Sequence, residues 1–382
     1  MEKNISPLVG IIADDLTSAT DGAGTFLLKG YVPLIKGLDA AVETASVISV
    51  DTNSRALSAS DAAKVTADAA SSLANARFLF KTIDSTLRGH ICEEIAAAFR
   101  ASGRSRLVIA PAFPEAGRLT VCGIQTVHGT PVSESSYGRD PVHPAKSSNI
   151  ADLVDTSLGT AVIVASKSVD PIPNATVLIL DAETQDELNR QVARITNPET
   201  ILWVGSPGMA IALSSLVPPM PTEHPAAGEA SSRVLIVAGS ANAVTHAQCD
   251  MLQSQGVPVV TQLADAPKEA RVVCLRAPSL LHDSPEAVVA DLASQASSAA
   301  IRRDYDVVIA TGGETMAAIL DRLGINRFFL FRELEPGFPV GKTKLPDGAP
   351  LSIAMKAGGF GSPSTLLDAA NAFLANPISK RL

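Results

Sequence analysis

The sequence is poor in aromatic residues, in cysteine motifs and in basic charge. Aromatics make up 4% of its 382 residues, against a hydrophobic fraction of 46%. Core volume must therefore come from Ala, Val, Ile and Leu, a mix that suits parallel strands covered by Ala-rich helices. The four cysteines, Cys92, Cys122, Cys249 and Cys274, form no CxxC pair and have no His cluster beside them. That argues against a structural zinc and for reduced core thiols in a cytoplasmic protein. Lys and Arg number 31 against 39 Asp and Glu, for a net charge of −8. This sign disfavours non-specific nucleic-acid binding, although local Arg, Lys and backbone N–H groups can still hold an anion. No apolar run approaches the ~20 residues of a membrane span. Residues 1–7 lack the basic region and long apolar stretch of a signal peptide. No G-x-G-x-x-G follows a strand with an acid ~20 residues on, so a dinucleotide oxidoreductase ranks low.

What is present is an alternation of short apolar runs and Ala-rich amphipathic segments. Strands are expected at 8–14, 45–51, 77–84, 106–111, 160–166, 176–181 and 200–205, then near 233–239, 257–262, 271–276, 305–310 and 350–356. A helix is expected over 60–75. Another opens with a capping box at Thr184–Glu187, and a third with Ser284 as N-cap and Pro285 in the first position. The expectation is α/β layering with largely parallel sheets. Length suggests two domains: 1–216, a Pro-rich linker at 217–232, and 233–382. Residues 113–150 are rich in Gly, Pro, Ser and His with little periodicity, and a long irregular stretch of this kind is usually functional.

Chemistry concentrates at strand ends, where ligands bind in open α/β sheets. The first strand runs into Ile12-Ala-Asp-Asp-Leu-Thr17, with Asp21 beyond. Asp14 and Asp15 are adjacent and face opposite sides of a strand, so one points into a site and the other caps the following turn. The plainer reading is that both merely cap. Asp51-Thr-Asn-Ser-Arg55 and Lys81-Thr-Ile-Asp-Ser-Thr-Leu-Arg-Gly89 end two further strands. Asp14, Arg55, Lys81, Asp84 and Arg88 thus suit a small anionic, hydroxylated ligand. Arg holds a carboxylate as a planar fork and Lys as a point charge, and Asp14 can accept a hydroxyl proton. Surface ion pairs at loop starts are the bland alternative. His128 and His143 lack metal-ligand spacing and read as turn or core histidines; no protein-held metal is expected.

In the second half, three Gly turns follow strands: Val237-Ala-Gly-Ser-Ala-Asn242, Ile309-Ala-Thr-Gly-Gly-Glu-Thr315 and Met355-Lys-Ala-Gly-Gly-Phe-Gly361. Gly lets backbone approach phosphate, and helix N-termini favour anions. Ser240 and Thr315 add hydroxyl donors. Gly337-Phe-Pro-Val-Gly-Lys-Thr343 imitates a P-loop, but has three residues between its glycines where four are required. It reads as a loop near the site.

In these segments, with Ala110-Pro-Ala-Phe-Pro114 and Glu335-Pro-Gly337, the chain resembles the four-carbon acid sugar kinases over nearly its whole length. It departs from the family pattern at Ser18, His90, Asn242 and Gly359. The resemblance implies phosphorylation of threonate, erythronate or 3-oxo-tetronate by ATP with Mg²⁺, D-threonate being preferred. It implies a first domain that binds the acid through Asp14, Arg55, Lys81 and Asp84; from the strand-end cluster Arg88 is expected to join them, and Asp14 is expected to be catalytic. It implies a second domain that binds ATP through Ser240, Gly312, Gly313, Glu314, Thr315 and Gly358; Gly359 of the same turn is expected to join them, with the active site in the interdomain cleft. A homodimer is the expected assembly. The rival from another class is a non-catalytic nucleotide sensor, which would keep the Gly turns and lose the acid–base residues.

Overall fold

The computed structural model describes residues 6–40, 44–140, 142–220, 233–278 and 284–374. The chain divides into two compact units, Met1–Pro221 and Thr222–Leu382. Most of the expected linker, 221–232, lies outside the described residues.

Unit 1 contains β1 (Val9–Ala13), α1 (Leu16–Gly24), β2 (Leu34–Gly37), β3 (Val47–Asp51), α2 (Ala59–Ser72), β4 (Phe78–Thr82), α3 (Ile91–Ser102) and β5 (Arg106–Ala110). There follow β6 (Arg118–Val121), β7 (Ile124–Val127), β8 (Thr130–Pro131), β9 (Ala161–Val164), β10 (Val177–Leu180), α4 (Gln185–Ala193), β11 (Ile201–Gly205) and α5 (Pro207–Leu216). The main sheet has the order β2-β3-β1-β4-β11-β5-β10-β9, with every one of these pairs parallel. Its strands are apolar on both faces, as parallel strands covered on both sides must be; β1, β4, β10 and β11 are buried at every residue. From β1 the chain goes first to β2 and β3 on one side, then through α2 to β4 on the other. That reversal is a topological switch point, where a crevice opens at the carboxyl ends. Register places Ala13 beside Asp51 and Ile12 beside Lys81, so the three charged clusters emerge at one edge.

The irregular stretch expected at 113–150 is instead organised: β6, β7 and β8 form a small antiparallel sheet, followed by short 3-10 turns at Val132–Glu134 and Ser136–Arg139. Its strands, of four, four and two residues, are too short to show a period of two. Gln125, fully buried, fastens this sheet by donating from Nε2 to Ser85 O at 2.7 Å and Pro111 O at 3.1 Å.

Unit 2 contains β12 (Val234–Ala238), α6 (Ala243–Ser254), β13 (Val259–Val260), β14 (Val272–Arg276), α7 (Pro285–Ile301), β15 (Val307–Thr311), α8 (Gly313–Arg322), β16 (Arg327–Glu333), β17 (Pro339–Lys344), β18 (Pro350–Lys356) and α9 (Thr365–Asn371). The strand order is β13-β14-β12-β15-β18-β17-β16, parallel through β18 and antiparallel beyond it. Ala238, Thr311 and Lys356 stand in one register row, so the three Gly turns leave the sheet side by side. The P-loop imitation is not a loop: Pro339–Lys344 is β17, with Gly341 opposite Ile353. Ser284 caps α7 by accepting from Ala287 N, and Thr184 and Glu187 form the capping box of α4. The strands β2, β16 and β17 were not anticipated.

Candidate functional site

In unit 1, Asp15 is the N-cap of α1, its Oδ1 accepting from Ser18 N at 2.7 Å. That fixes the preceding residue, and Asp14 turns its side chain into the crevice with 7% of its surface exposed. Arg55 Nε donates to Asp14 Oδ2 at 2.8 Å, and Arg55 Nη1 pairs with Asp15 Oδ2. Asp14 Oδ1 is buried and has no hydrogen-bond partner among the described residues. Burial pushes the Asp14 carboxyl up, but the Arg55 and Lys81 charges and the Arg55 hydrogen bond outweigh it and hold Asp14 below the usual carboxylate range. For Asp15, burial and the Asp14 charge win, and its carboxyl is raised. Arg55 is held still more firmly protonated: burial opposes its charge, while Asp14, Asp15 and Asp84 overcome that.

Asp51, at the end of β3, accepts from Asn53 N at 2.8 Å. Burial, with Asp15 and Asp14 nearby, pushes it up to about 7. Lys81 is fully buried and pairs with Glu94 of α3 at 2.7 Å, donating also to Thr82 O at 2.8 Å. Ser54 Oγ donates to the other Glu94 oxygen at 2.6 Å. Lys81 and Glu94 thus tie β4, α3 and the Asp51–Arg55 turn together beneath Asp14.

Asp84 and Arg88 engage each other: Arg88 Nε donates to Asp84 Oδ2 at 2.5 Å, and Thr86 N and Oγ1 close the turn on the same carboxylate. Leu87 and Gly89 take positive φ of 57° and 97° to complete it. Arg88 Nη1 reaches Asp140 at 3.2 Å, and its guanidinium lies 5.3 Å from the Tyr137 ring centroid. Asp140 accepts from His143 N at 2.9 Å. Burial, His90 and the Arg55 charge lower the His143 imidazole, and its ring stands edge-on to His90 at 5.8 Å. The loop after β8 therefore closes over the same edge.

Of the sequence candidates, Asp14 and Arg55 meet directly, and Asp84 and Arg88 form a second pair nearby. Lys81 is engaged inside the fold. Sequence reading placed Asp51 in the strand-end cluster with Arg55 but gave it no role, and passed over Glu94 and Asp140. Glu94 did leave a signal, an acid on the apolar stripe Ile91, Ile95, Ala98 of an amphipathic helix. Asp140 left none, because its place depends on a loop returning from a separate sheet. His128 is a turn residue with φ 48°. Among the described residues no group of three or more His, Cys, Asp or Glu side chains is placed to hold a metal.

In unit 2 the three Gly turns brace one another. Gly312 N donates to Lys356 O at 2.9 Å, Thr245 Oγ1 to Gly358 O at 2.9 Å, and Gln248 Nε2 to Phe360 O and Ser362 O. Asn242 accepts from Val244 N as the N-cap of α6. A Cβ on Gly239 would lie 2.1 Å from Thr315 Oγ1, and one on Gly358 1.9 Å from Ser240 Oγ. Only glycine lets these turns touch. Gly312, at φ 91°, precedes α8 without a side-chain cap, so an uncapped helix N-terminus faces the turns. This arrangement can receive an anion through backbone N–H groups.

Residues 9–213 match the family described as sugar-binding N-terminal domain, and residues 277–366 that described as nucleotide-binding C-terminal domain. A D-threonate kinase of Bordetella bronchiseptica is 32% identical over 414 residues, spanning 98% of this chain and 99% of the relative. A 3-oxo-tetronate kinase of Brucella melitensis is 27% identical and spans 94% of each chain. A D-erythronate kinase of Heliobacterium modesticaldum is 32% identical over 64% of this chain and 60% of its own. Among solved structures, a Salmonella typhimurium protein described as a putative tRNA synthase superposes with a TM-score of 0.79 at 21% identity, covering 96% of this chain and 99% of that one; it shares the fold. A Bordetella bronchiseptica protein, solved as a domain-swapped dimer with bound citrate, is 30% identical with a TM-score of 0.50 and covers 98% of this chain. No helix among the described residues is long and apolar enough to cross a membrane.

Proposed function

The chain belongs to the four-carbon acid sugar kinase family, and from that premise we propose that it transfers the γ-phosphoryl group of ATP to the terminal hydroxyl of D-threonate. The observation that carries the mechanism is Asp14: an ionised carboxylate, one oxygen held by Arg55 and the other, Oδ1, buried and without a hydrogen-bond partner among the described residues. Oδ1 accepts the hydroxyl hydrogen and takes the proton as the new O–P bond forms and the bond to the ADP leaving group breaks. Arg55 and Arg88 keep 26% and 30% of their side chains exposed, whereas Lys81 keeps none. We therefore assign the acid's carboxylate to the two arginines. Lys81 acts through its charge, which helps keep Asp14 ionised. Asp84 aims Arg88.

Unit 1 is the substrate domain and unit 2 the nucleotide domain in this reading. The turns at Gly239–Ser240, Gly312–Thr315 and Gly358–Gly359, which leave no room for a side chain at Gly239 and Gly358, fit a triphosphate. Mg²⁺ would sit on the phosphates, with Glu314 as the carboxylate on that side, and would neutralise their charge. Preference for D-threonate rests on the relative of that name at 32% identity along the whole chain. The citrate held by another relative is a hydroxylated carboxylate of the same kind, and its dimeric state supports a homodimer here. With ATP as donor, a cytoplasmic location belongs to the same proposal. Purified protein with Mg-ATP and a panel of D-threonate, D-erythronate and 3-oxo-tetronate, read by ADP release, tests it. Highest kcat/KM on D-threonate is expected; a tenfold preference for either other acid overturns the assignment.

A further inference from the structure

Lys356 ends β18 beside the third Gly turn. The residue is 3% exposed. Its Nζ donates to Ala357 O at 2.9 Å, so the ammonium curls back to the mouth of the turn that contains Gly358. An ammonium has three donors, and this is the one hydrogen bond it makes among the described residues. No carboxylate among those residues lies within salt-bridge distance; Glu335 acts on it only from further away, together with the Cys249 thiol. The backbone of Lys356 is itself part of the cradle, because its carbonyl accepts from Gly312 N. A buried ammonium without a counter-ion is costly. Burial indeed lowers Lys356 to about 8. Such a cost is offset when an anion arrives, and here the neighbouring groups are the uncapped start of α8 and the Gly turns.

We infer that Lys356 is a phosphate-contacting residue, its ammonium binding the terminal phosphates of the nucleotide with its two remaining N–H donors. This rests on the reading of unit 2 as the ATP site. The residue supplies as a point charge what a P-loop lysine supplies in an unrelated frame, but from the end of a strand and not from a helix. It also explains why the lysine of the imitation motif, Lys342 in β17, is not needed for that purpose.

The test compares ATP with adenosine, which lacks phosphates, by calorimetry on the full chain. Lys356→Met keeps side-chain length and removes the charge. ATP affinity is expected to fall by about 10- to 100-fold, the scale of a lost charge-assisted contact, with adenosine affinity unchanged within about twofold. The melting temperature should hold or rise, since an unpaired buried charge is removed. Parallel loss of ATP and adenosine binding, or unchanged ATP binding, overturns the inference. Should the variant fail to fold, wild-type protein decides: from pH 7 to 9.5 the ammonium loses its proton and ATP affinity should fall while adenosine affinity stays level. Glu335 and Cys249 are the other titratable groups that act on Lys356, and a Cys249→Ser variant removes the thiol's contribution. A flat ATP affinity refutes the role of Lys356. A wild-type protein that binds adenosine and ATP equally, or neither, refutes the ATP-site reading itself.

Discussion

Replacing Glu94 by Gln isolates the charge that Lys81 depends on. Both groups are buried, at 0% and 4% side-chain exposure, and their Nζ–Oε2 separation is 2.7 Å. At that distance and an effective dielectric constant near 20 the attraction is about 6 kcal/mol, most of which offsets the desolvation of the two ions. Gln keeps the acceptor for Ser54 Oγ but leaves Lys81 charged, enclosed and without a counter-ion. Breaking one side of a buried pair costs about 3–5 kcal/mol. The combined change Lys81→Met with Glu94→Leu should cost far less, within about 2 kcal/mol of wild type, because no charge remains to be stranded. The assay is urea unfolding followed by tryptophan fluorescence. The chain has one tryptophan, Trp203, fully buried in β11 opposite Phe80 of β4, so the signal reports on unit 1. A Glu94→Gln variant within about 1 kcal/mol of wild type would refute the argument, as would a double variant less stable than the single one. In the surviving fold of the double variant, Asp14 loses one of the two cations that keep it ionised, so turnover should also shift to higher pH.

Asp14→Asn should lower kcat by at least about 100-fold while the fold is retained; near-normal turnover with unchanged affinity for the acid would remove Asp14 as the base. Asp51 holds its proton in the folded state up to about 7 but releases it near 3.8 when unfolded. Wild-type stability is therefore lost as pH rises through that window. Asp51→Asn should gain on wild type by about 1–3 kcal/mol between pH 5 and pH 8, the full shift setting a ceiling near about 4 kcal/mol, and a pH-independent gap in thermal or urea unfolding would contradict the assignment. Gly239→Ala puts a Cβ 2.1 Å from Thr315 Oγ1; the turn must yield at a cost of about 1–3 kcal/mol, and KM for ATP should rise with KM for the acid unmoved. A variant with wild-type KM for ATP would show that the turn does not shape the phosphate site.

The α/β class with largely parallel strands was legible in the chain, because runs of Val, Ile and Leu buried on both faces carry their own signature. Also legible were the helix starts at Thr184 and Ser284, and the strand ends that carry charge, since caps and strand termini are local in the chain. The short strands at Arg118–Pro131 and the antiparallel β16 and β17 were illegible: at two to seven residues each they are too short to show a period, and the neighbouring strand of each hairpin supplies the pairing. Spacing likewise left open which of Asp14 and Asp15 caps α1; the hydrogen bond that Asp15 accepts from Ser18 N decided it. Only tertiary structure showed that Lys81 is enclosed against Glu94, that Arg88 is aimed by Asp84 and Asp140, and that three Gly turns stand in one row. A residue type states what a side chain can do, but burial and the charges brought beside it by parallel pairing decide what it does. Those are sums over contacts far apart in the chain.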